Sequence, residues 1–330
     1  MRIPRSRIGL FLVAAAAWAA GTVRLPSKGP DVQWYKGNLH SHTINSDGDS
    51  SPDAVARWYK ERRYHFLALT DHNYFTDPQG LNAFLGANDR FLLITGEEVT
   101  SQHGDAPIHV NAFRLQQTIE PFFAKDVLST IQSNVDSIRD AGAVPSLNHP
   151  QFRWAIDAAT LVRVQKLGLF EVFNGHPQTN DEWGLEEMWD SALTAGRELY
   201  GIAVDDAHEF KRFGPERSNP GGGWIQVRAS ELSEHTILAA IERGEFYAST
   251  GVNIEEMSRS SGQLSVKVEQ KGDRQYRTVF IGKGGRVLAR KTGVEATYRL
   301  QPGDGYARAT ITDSAGKKAW VQPVFQDSVP

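Results

Sequence analysis

The stretch NLHSHTINSDG places His40 and His42 one residue apart, with Asp47 five residues further on. In an extended strand, residues i and i+2 share a face, so both imidazoles can reach one point. Two imidazoles and a nearby carboxylate suit a borderline divalent metal ion. A His-x-His taken alone also fits a polar edge strand carrying two unrelated histidines. The remaining chemistry-bearing residues decide between the two.

Histidine is scarce, ten in 330 residues. His72 follows FLALTD, His109 opens HVNAF, His149 lies in LNHP and His208 in DDAHE. Six histidines at the starts or ends of apolar runs argue for a cluster. The carboxylates of Asp47, Glu98 and Asp206 complete a set of nine candidate ligands. That is more than one tetrahedral ion takes, so two or three ions sharing a bridging carboxylate are expected, with Glu98 as the bridge. Close ions lower the pKa of a shared water and clamp attacking and leaving oxygens. The imidazoles argue against calcium, which takes oxygen ligands. Cysteine is absent, which removes thiolate ligands and a thiol nucleophile.

The elements that must carry these residues alternate. A helix starts at Ser51-Pro52, with serine as cap and proline in the first turn. Phe66–Thr70 reads as a buried strand ending at Asp71-His72, and RFLLITGEE as another ending at Glu97-Glu98. IHVNAF is a third. A helix over about 124–141 stops at Gly142. AVPSLNHP, LGLFEVFNG and YGIAVDDAHE are further strands, and EWGLEEMWDSALTAG and SEHTILAAIERG are helices. Strand–helix alternation predicts an α/β architecture, and in a closed α/β barrel the polar residues at strand ends would meet on the C-terminal rim. Beyond about residue 250, runs of period two separated by glycine turns predict a small antiparallel, sandwich-like β domain.

Composition is ordinary for a globular chain, 40% hydrophobic and 23% charged. A net charge of −3 gives no electrostatic case for nucleic acid as an obligate partner. The first 26 residues carry Arg2, Arg5 and Arg7, then an apolar run from Ile8 to Gly21. This is the layout of a secretion signal over residues 1–25, and the run is short of the roughly 20 residues of a membrane span. Export to a periplasmic or extracellular location is expected, with an uncleaved N-terminal anchor as the alternative.

Taken in order, NLHSHTINSDG, LALTDHN, GEEV, HVNAF, NHP and DDAH resemble the polymerase and histidinol phosphatase (PHP) superfamily of metal-dependent phosphoesterases, over residues 34–250. The resemblance implies a distorted seven-stranded barrel with two or three manganese, iron or zinc ions at its rim. It implies that His40 and His42 bind a first ion with Glu98 and Asp206. Glu98 would bridge to a second held by His109 and His149, and Asp47, His72 and His208 would hold a third. The match falls on Glu98, not Glu97. Asp205 stands where many relatives carry a small residue. GGGWIQVRASELSEHTILAAIERGEFYASTG, followed by a β domain over 251–330, resembles an exported branch of the superfamily.

The activity so implied is hydrolysis of a small phosphomonoester or phosphodiester by a metal-bridging hydroxide, with Asp206, Glu98 and His208 as catalytic residues. No cysteine and no Gly-x-Ser-x-Gly elbow offers a covalent route. Two other readings stand beside it: hydrolysis of carbonyl esters or amides by the same centre, and an exported binding protein retaining the metal site. Asp71 is a candidate for orienting an imidazole, and Glu171 and Asn174 for supporting ligands or meeting substrate. His103 and His176 are candidate proton donors, and Arg212 with Lys211 and Arg217 a candidate phosphoryl grip on a mobile lid. His65 and His235 read as structural.

Overall fold

In the computed structural model, the described residues are 32–86, 90–178, 184–260 and 262–326. The expected signal or anchor over residues 1–25 lies outside them. Among the described residues no helix is long and apolar enough to cross a membrane.

The chain forms strands β1 (Gln33–Asn38), β2 (Phe66–Ala68), β3 (Leu92–Ile94), β4 (Gly96–His103), β5 (Ala106–Phe113), β6 (Val144–Leu147), β7 (Leu169–Asn174), β8 (Tyr200–Val204), β9 (Trp224–Ala229) and β10 (Phe246–Ser249). Between them run helices α1 (Pro52–Glu61), α2 (Gln79–Leu85), α3 (Val127–Asp140), α4 (Ala158–Arg163), α5 (Leu185–Thr194) and α6 (Glu234–Glu242). Ser51 occupies the N-cap position of α1, but its hydroxyl donates to Asp53 (2.6 Å) rather than closing the helix end. Asp126 does cap α3, accepting the Ser129 N–H at 2.7 Å, and Gly142 turns the chain beyond α3 at φ +76°.

The expected seven-stranded barrel is not formed: among the described residues no sheet closes on itself. β4–β8 make one five-stranded sheet, while β3, β2, β1, β9 and β10 belong to another. RFLLITGEE, read as a single strand, is two. Thr95 separates β3 from β4, and the strands on either side of it lie in different sheets. The hairpin turn at Gly104 and Asp105 forces β4 and β5 antiparallel, and β9 runs antiparallel to β1. Among the described residues only β1–β2–β3 and β6–β7–β8 are parallel runs. The two sheets meet through single-residue bridges, Ser41 with Ala207 and His72 with Glu98, rather than through ladders. Both bridges lie at the ends of strands that carry candidate ligands.

The sheet containing β1–β3, β9 and β10 instead runs onward through antiparallel pairing of β10 with the C-terminal strands. These are β11 (Ile254–Ser260), β12 (Gln263–Val268), β13 (Tyr276–Gly282), β14 (Arg286–Thr292), β15 (Glu295–Arg299), β16 (Tyr306–Asp313) and β17 (Lys318–Phe325). The nine-stranded order is β14-β13-β16-β17-β10-β9-β1-β2-β3, and β11-β12-β15 form a separate three-stranded sheet. Leu264, Val266, Phe280, Ala309, Ile311 and Val321 fill a core of their own in this part.

One charged knot joins α5 to the C-terminal strands. The Arg308 guanidinium is buried, with Nε and Nη2 on the two oxygens of Asp190 (2.7 and 2.8 Å) and Nη1 on Glu186 (2.8 Å) and Thr310 (3.0 Å). Tyr306 donates to Asp190 and Trp320 to Glu186 (2.8 and 3.0 Å), and the guanidinium lies 4.9 Å from the Trp189 ring. Each guanidinium nitrogen has a carboxylate partner, which a buried charge requires.

Candidate metal centre

All nine candidate ligands meet: seven lie just beyond the ends of β1, β2, β6 and β8, while Glu98 and His109 lie within β4 and β5. Their donor atoms fall into four groups, each within 4.8 Å: His42, Asp47, His72 and His208; His40, His42 and Asp206; His40, Glu98 and His149; His72, Glu98 and His109. His109 and His149 stand in different groups, and His42 and His72 are each shared, so the partition differs in detail from the expected three. A cavity of about 200 Å³ opens onto the cluster, lined also by Phe152, His176 and Gln178.

Glu98 is central and fully buried. Its Oε1 lies 2.9 Å from His109 Nδ1, 3.3 Å from His149 Nε2 and 2.8 Å from the Asn148 amide. Its Oε2 lies 3.0 Å from His72 Nδ1 and 3.4 Å from Nε2 of both His40 and His42. Although surrounded, Oε2 accepts no well-directed hydrogen bond. Asp206 Oδ1 lies 3.2 and 3.1 Å from the same two Nε2 atoms, which are 3.2 Å from each other. Two imidazole nitrogens facing each other and two carboxylates, with a buried oxygen short of a donor, are the arrangement a shared cation completes. The residues therefore fit divalent metal ions, and the donor set is consistent with the centre of a metal-dependent hydrolase.

The electrostatics agree. Burial works against ionisation of Glu98, but His72, His40 and His109 outweigh it and hold the carboxyl well below its usual range. Asp206 behaves the same way under His40, His42 and His208. Burial also disfavours charge on His72, yet Glu98 and Asp47 push it up to about 10. Burial and the neighbouring His208 bring His42 down to about 4. The field of the carboxylates favours positive charge, but the rings cannot all carry it. Metal ions at these positions would take the place of those protons.

Residues behind the ligands set their orientation. Glu171 is fully buried: Oε1 is 2.6 Å from His40 Nδ1, and Oε2 accepts the His149 N–H (2.7 Å) and the Asn174 amide (2.8 Å). This places the His40 proton on Nδ1 and leaves Nε2 as the donor atom toward the cluster. The Asn174 amide also reaches Asp206 Oδ2 at 3.1 Å. Asp206 has φ 49° and His149 φ 21°, backbone conformations uncommon for side-chain-bearing residues.

Three acids adjacent to ligands face away from the centre and pin loops. Asp71 accepts the Thr43 N–H (2.7 Å) and hydroxyls of Thr43, Ser46 and Thr76. It holds the loop bearing Asp47 and touches no imidazole nitrogen among the described hydrogen bonds. Glu97 accepts the Ile119 N–H at 3.1 Å, and burial pushes its carboxyl up to about 7. Asp205 accepts the Gly223 N–H (2.9 Å) and the Tyr59 hydroxyl (2.8 Å), and burial raises it to about 6. Gly223 is needed there, since a Cβ would come within 2.8 Å of the Phe173 ring and the Val204 carbonyl.

The other candidates separate cleanly. His103 ends β4 with Nδ1 at 3.2 Å from the Ala124 carbonyl and does not line the cavity. His65 Nδ1 accepts the Lys36 N–H, and His235 sits on α6. Arg217 pairs with Glu209, and neither Lys211 nor Arg212 lines the cavity. Phe152 and Gln178 were not foreseen, because a lone aromatic and a loop amide carry no spacing signal.

No protein-family model matches the sequence, and no curated protein matches it. Among solved structures, a two-domain protein from Bacteroides vulgatus, described as containing a predicted PHP-like metal-dependent phosphoesterase, matches at 18% identity. That match covers 93% of this chain and 100% of the other, with a TM-score of 0.51. An amidohydrolase from Chromobacterium violaceum matches at 17% identity over 53% of this chain and 88% of its own, with a TM-score of 0.42. At such identity the first likeness is one of architecture: the chain shares the fold of the two-domain Bacteroides protein along nearly its whole length.

Proposed function

We propose that this chain is an exported member of the PHP superfamily that hydrolyses a small phosphate ester, monoester or diester, with two or three divalent ions of manganese, iron or zinc. The observation that carries the reading is Glu98, whose Oε1 faces His109 and His149 while its Oε2 faces His72, His40 and His42. One carboxylate placed this way ties neighbouring cation positions together. The shared fold and the nine donors support superfamily membership.

His40, His42 and Asp206 would hold one ion, and Glu98 with His109 and His149 another. Asp47, His72 and His208 would hold a third. Bound there, such ions supply Lewis acidity and a water of low pKa. The chain's own residues do the rest. Glu171 keeps the proton of His40 on Nδ1. The Asn174 amide occupies Oδ2 of Asp206, so Oδ1 is the oxygen turned toward the cluster and the atom to which a proton would pass. The cavity of about 200 Å³ admits a phosphoryl group and leaves the body of the substrate near the rim.

The test is a panel of phosphomonoesters, phosphodiesters, carboxylic esters and amides given to metal-loaded protein, beside Asp206→Asn. Phosphate release that stops with chelator and falls about 10²-fold or more in the variant supports the reading. Turnover of carbonyl substrates alone would overturn it in favour of an ester or amide hydrolase. Bound metal without any turnover would overturn it in favour of a binding protein. Export is tested by sequencing the mature N-terminus from fractionated cells.

A further inference from the structure

Among the described residues ten line the cavity over the cluster, and seven of these belong to the candidate ligand set. The remaining three are Phe152, His176 and Gln178, and among the described residues no lysine or arginine lines it. Among the described residues, a phosphoryl group seated there therefore meets, apart from any ions, His176 and the Gln178 amide as donors outside the ligand set. His176 takes no part in any of the four donor groups, although its ring stands edge-on to His208 at 5.4 Å between centroids.

The loop after β7 fixes this ring. The His176 N–H donates to Asn174 Oδ1 at 2.8 Å, and Asn174 is held through its amide by Glu171 and Asp206. His176 Nδ1 accepts the Gln178 N–H at 3.2 Å. A neutral imidazole that accepts at Nδ1 carries its proton on Nε2. A run of hydrogen bonds thus leads from the buried end of β7 to a ring that lines the cavity with a defined donor nitrogen.

We propose that His176 is a catalytic residue that touches substrate rather than metal: its Nε2–H donates a hydrogen bond to an oxygen of the phosphoryl group. The bond strengthens as negative charge grows on that oxygen in the transition state, the role an oxyanion-hole donor plays. No proton is transferred in this role. The inference rests on the phosphoesterase reading for the identity of the oxyanion, but not for the presence of an anion-facing donor.

The experiment uses the full metal-loaded chain, with His176→Ala and with His176→Gln, which keeps an N–H donor. Three quantities are read: metal ions per chain, the dissociation constant of inorganic phosphate by calorimetry, and kcat and KM on p-nitrophenyl phosphate and bis(p-nitrophenyl) phosphate. Expected are unchanged metal content in both variants, weaker phosphate binding in His176→Ala, a kcat lower by about 10²-fold, and partial recovery in His176→Gln. Phosphate affinity and kcat within about twofold of wild type in His176→Ala would overturn the proposal. So would loss of a metal equivalent in both variants, which would make His176 a ligand. If wild type hydrolyses neither ester, the phosphoesterase reading fails by itself. Phosphate binding then still decides: weakening in His176→Ala upholds the donor, and no change overturns it.

Discussion

The molecule holds two charged clusters, one built on a cation and one on a carboxylate, and finishes them differently. Around Arg308 the guanidinium meets Asp190 and Glu186, and Thr310, Tyr306 and Trp320 contribute further polar contacts. Around Glu98, three carboxylates and six imidazoles converge, yet Oε2 of Glu98 lacks a directed donor and two Nε2 atoms face each other. Both arrangements cost desolvation. The first recovers it within the protein and ties α5 to the C-terminal strands. The second leaves Glu98 Oε2 without a directed donor from the protein. Burial and charge alone do not mark a functional site; incompleteness of the hydrogen bonding does.

The largest effect that would break this contrast is expected from Glu98→Ala. It should remove more than one metal equivalent per chain, because the carboxylate serves two donor groups, and elemental analysis after reconstitution reads it. Loss of a single equivalent would reduce Glu98 to an ordinary ligand. At the other cluster, Arg308→Met strands the buried Asp190 and the partly buried Glu186 and should lower stability by about 3–5 kcal/mol while leaving metal content unchanged. Chemical denaturation beside metal analysis checks both halves, and metal loss would show the clusters to be coupled.

Smaller effects sharpen the comparison. Glu171→Gln keeps shape but disturbs the partner of His40, and should weaken metal affinity about 10- to 100-fold. Its thermal midpoint should move little, since no core volume changes. The smallest effect is in acid. Burial opposes the charge on Glu186, but Arg308, Thr310 and Trp320 hold its carboxyl below the usual range. A depressed folded pKa contributes stability that is complete above the unfolded value, about 4.3, and lost as pH falls through the folded one. Urea midpoints should therefore fall more steeply for wild type than for Glu186→Gln below about pH 4.3.

The two clusters were not equally legible. The nine donors could be read because histidine is rare in this chain and six of its ten histidines sit where an apolar run starts or stops. Arg308, Asp190 and Glu186 could not. Arg308 lies more than a hundred residues from the two acids, and singly each of the three reads as a solvated surface charge. The parallel runs β1–β3 and β6–β8 followed from strand–helix alternation. Barrel closure did not follow, since Thr95 passes the chain between sheets inside one continuous apolar run. In β11 and β14 exposed charged residues, such as Glu255, Arg286 and Arg290, blur the period of two.

The acids beside the ligands, Asp71, Glu97 and Asp205, divide each strand end between two tasks. One residue points into the reaction space while its neighbour rivets a distant loop. The rivets absorb whatever happens to the loops between them. An insertion near residue 122 would end at the Glu97–Ile119 fastening instead of dragging on Glu98. A change in the segment at 212–216 would stop at Gly223 before it displaced Asp206. The architecture therefore separates the part of the molecule that must stay fixed from the part that can be rewritten, and loops grafted between those fastenings could retune what the centre accepts without rebuilding the centre.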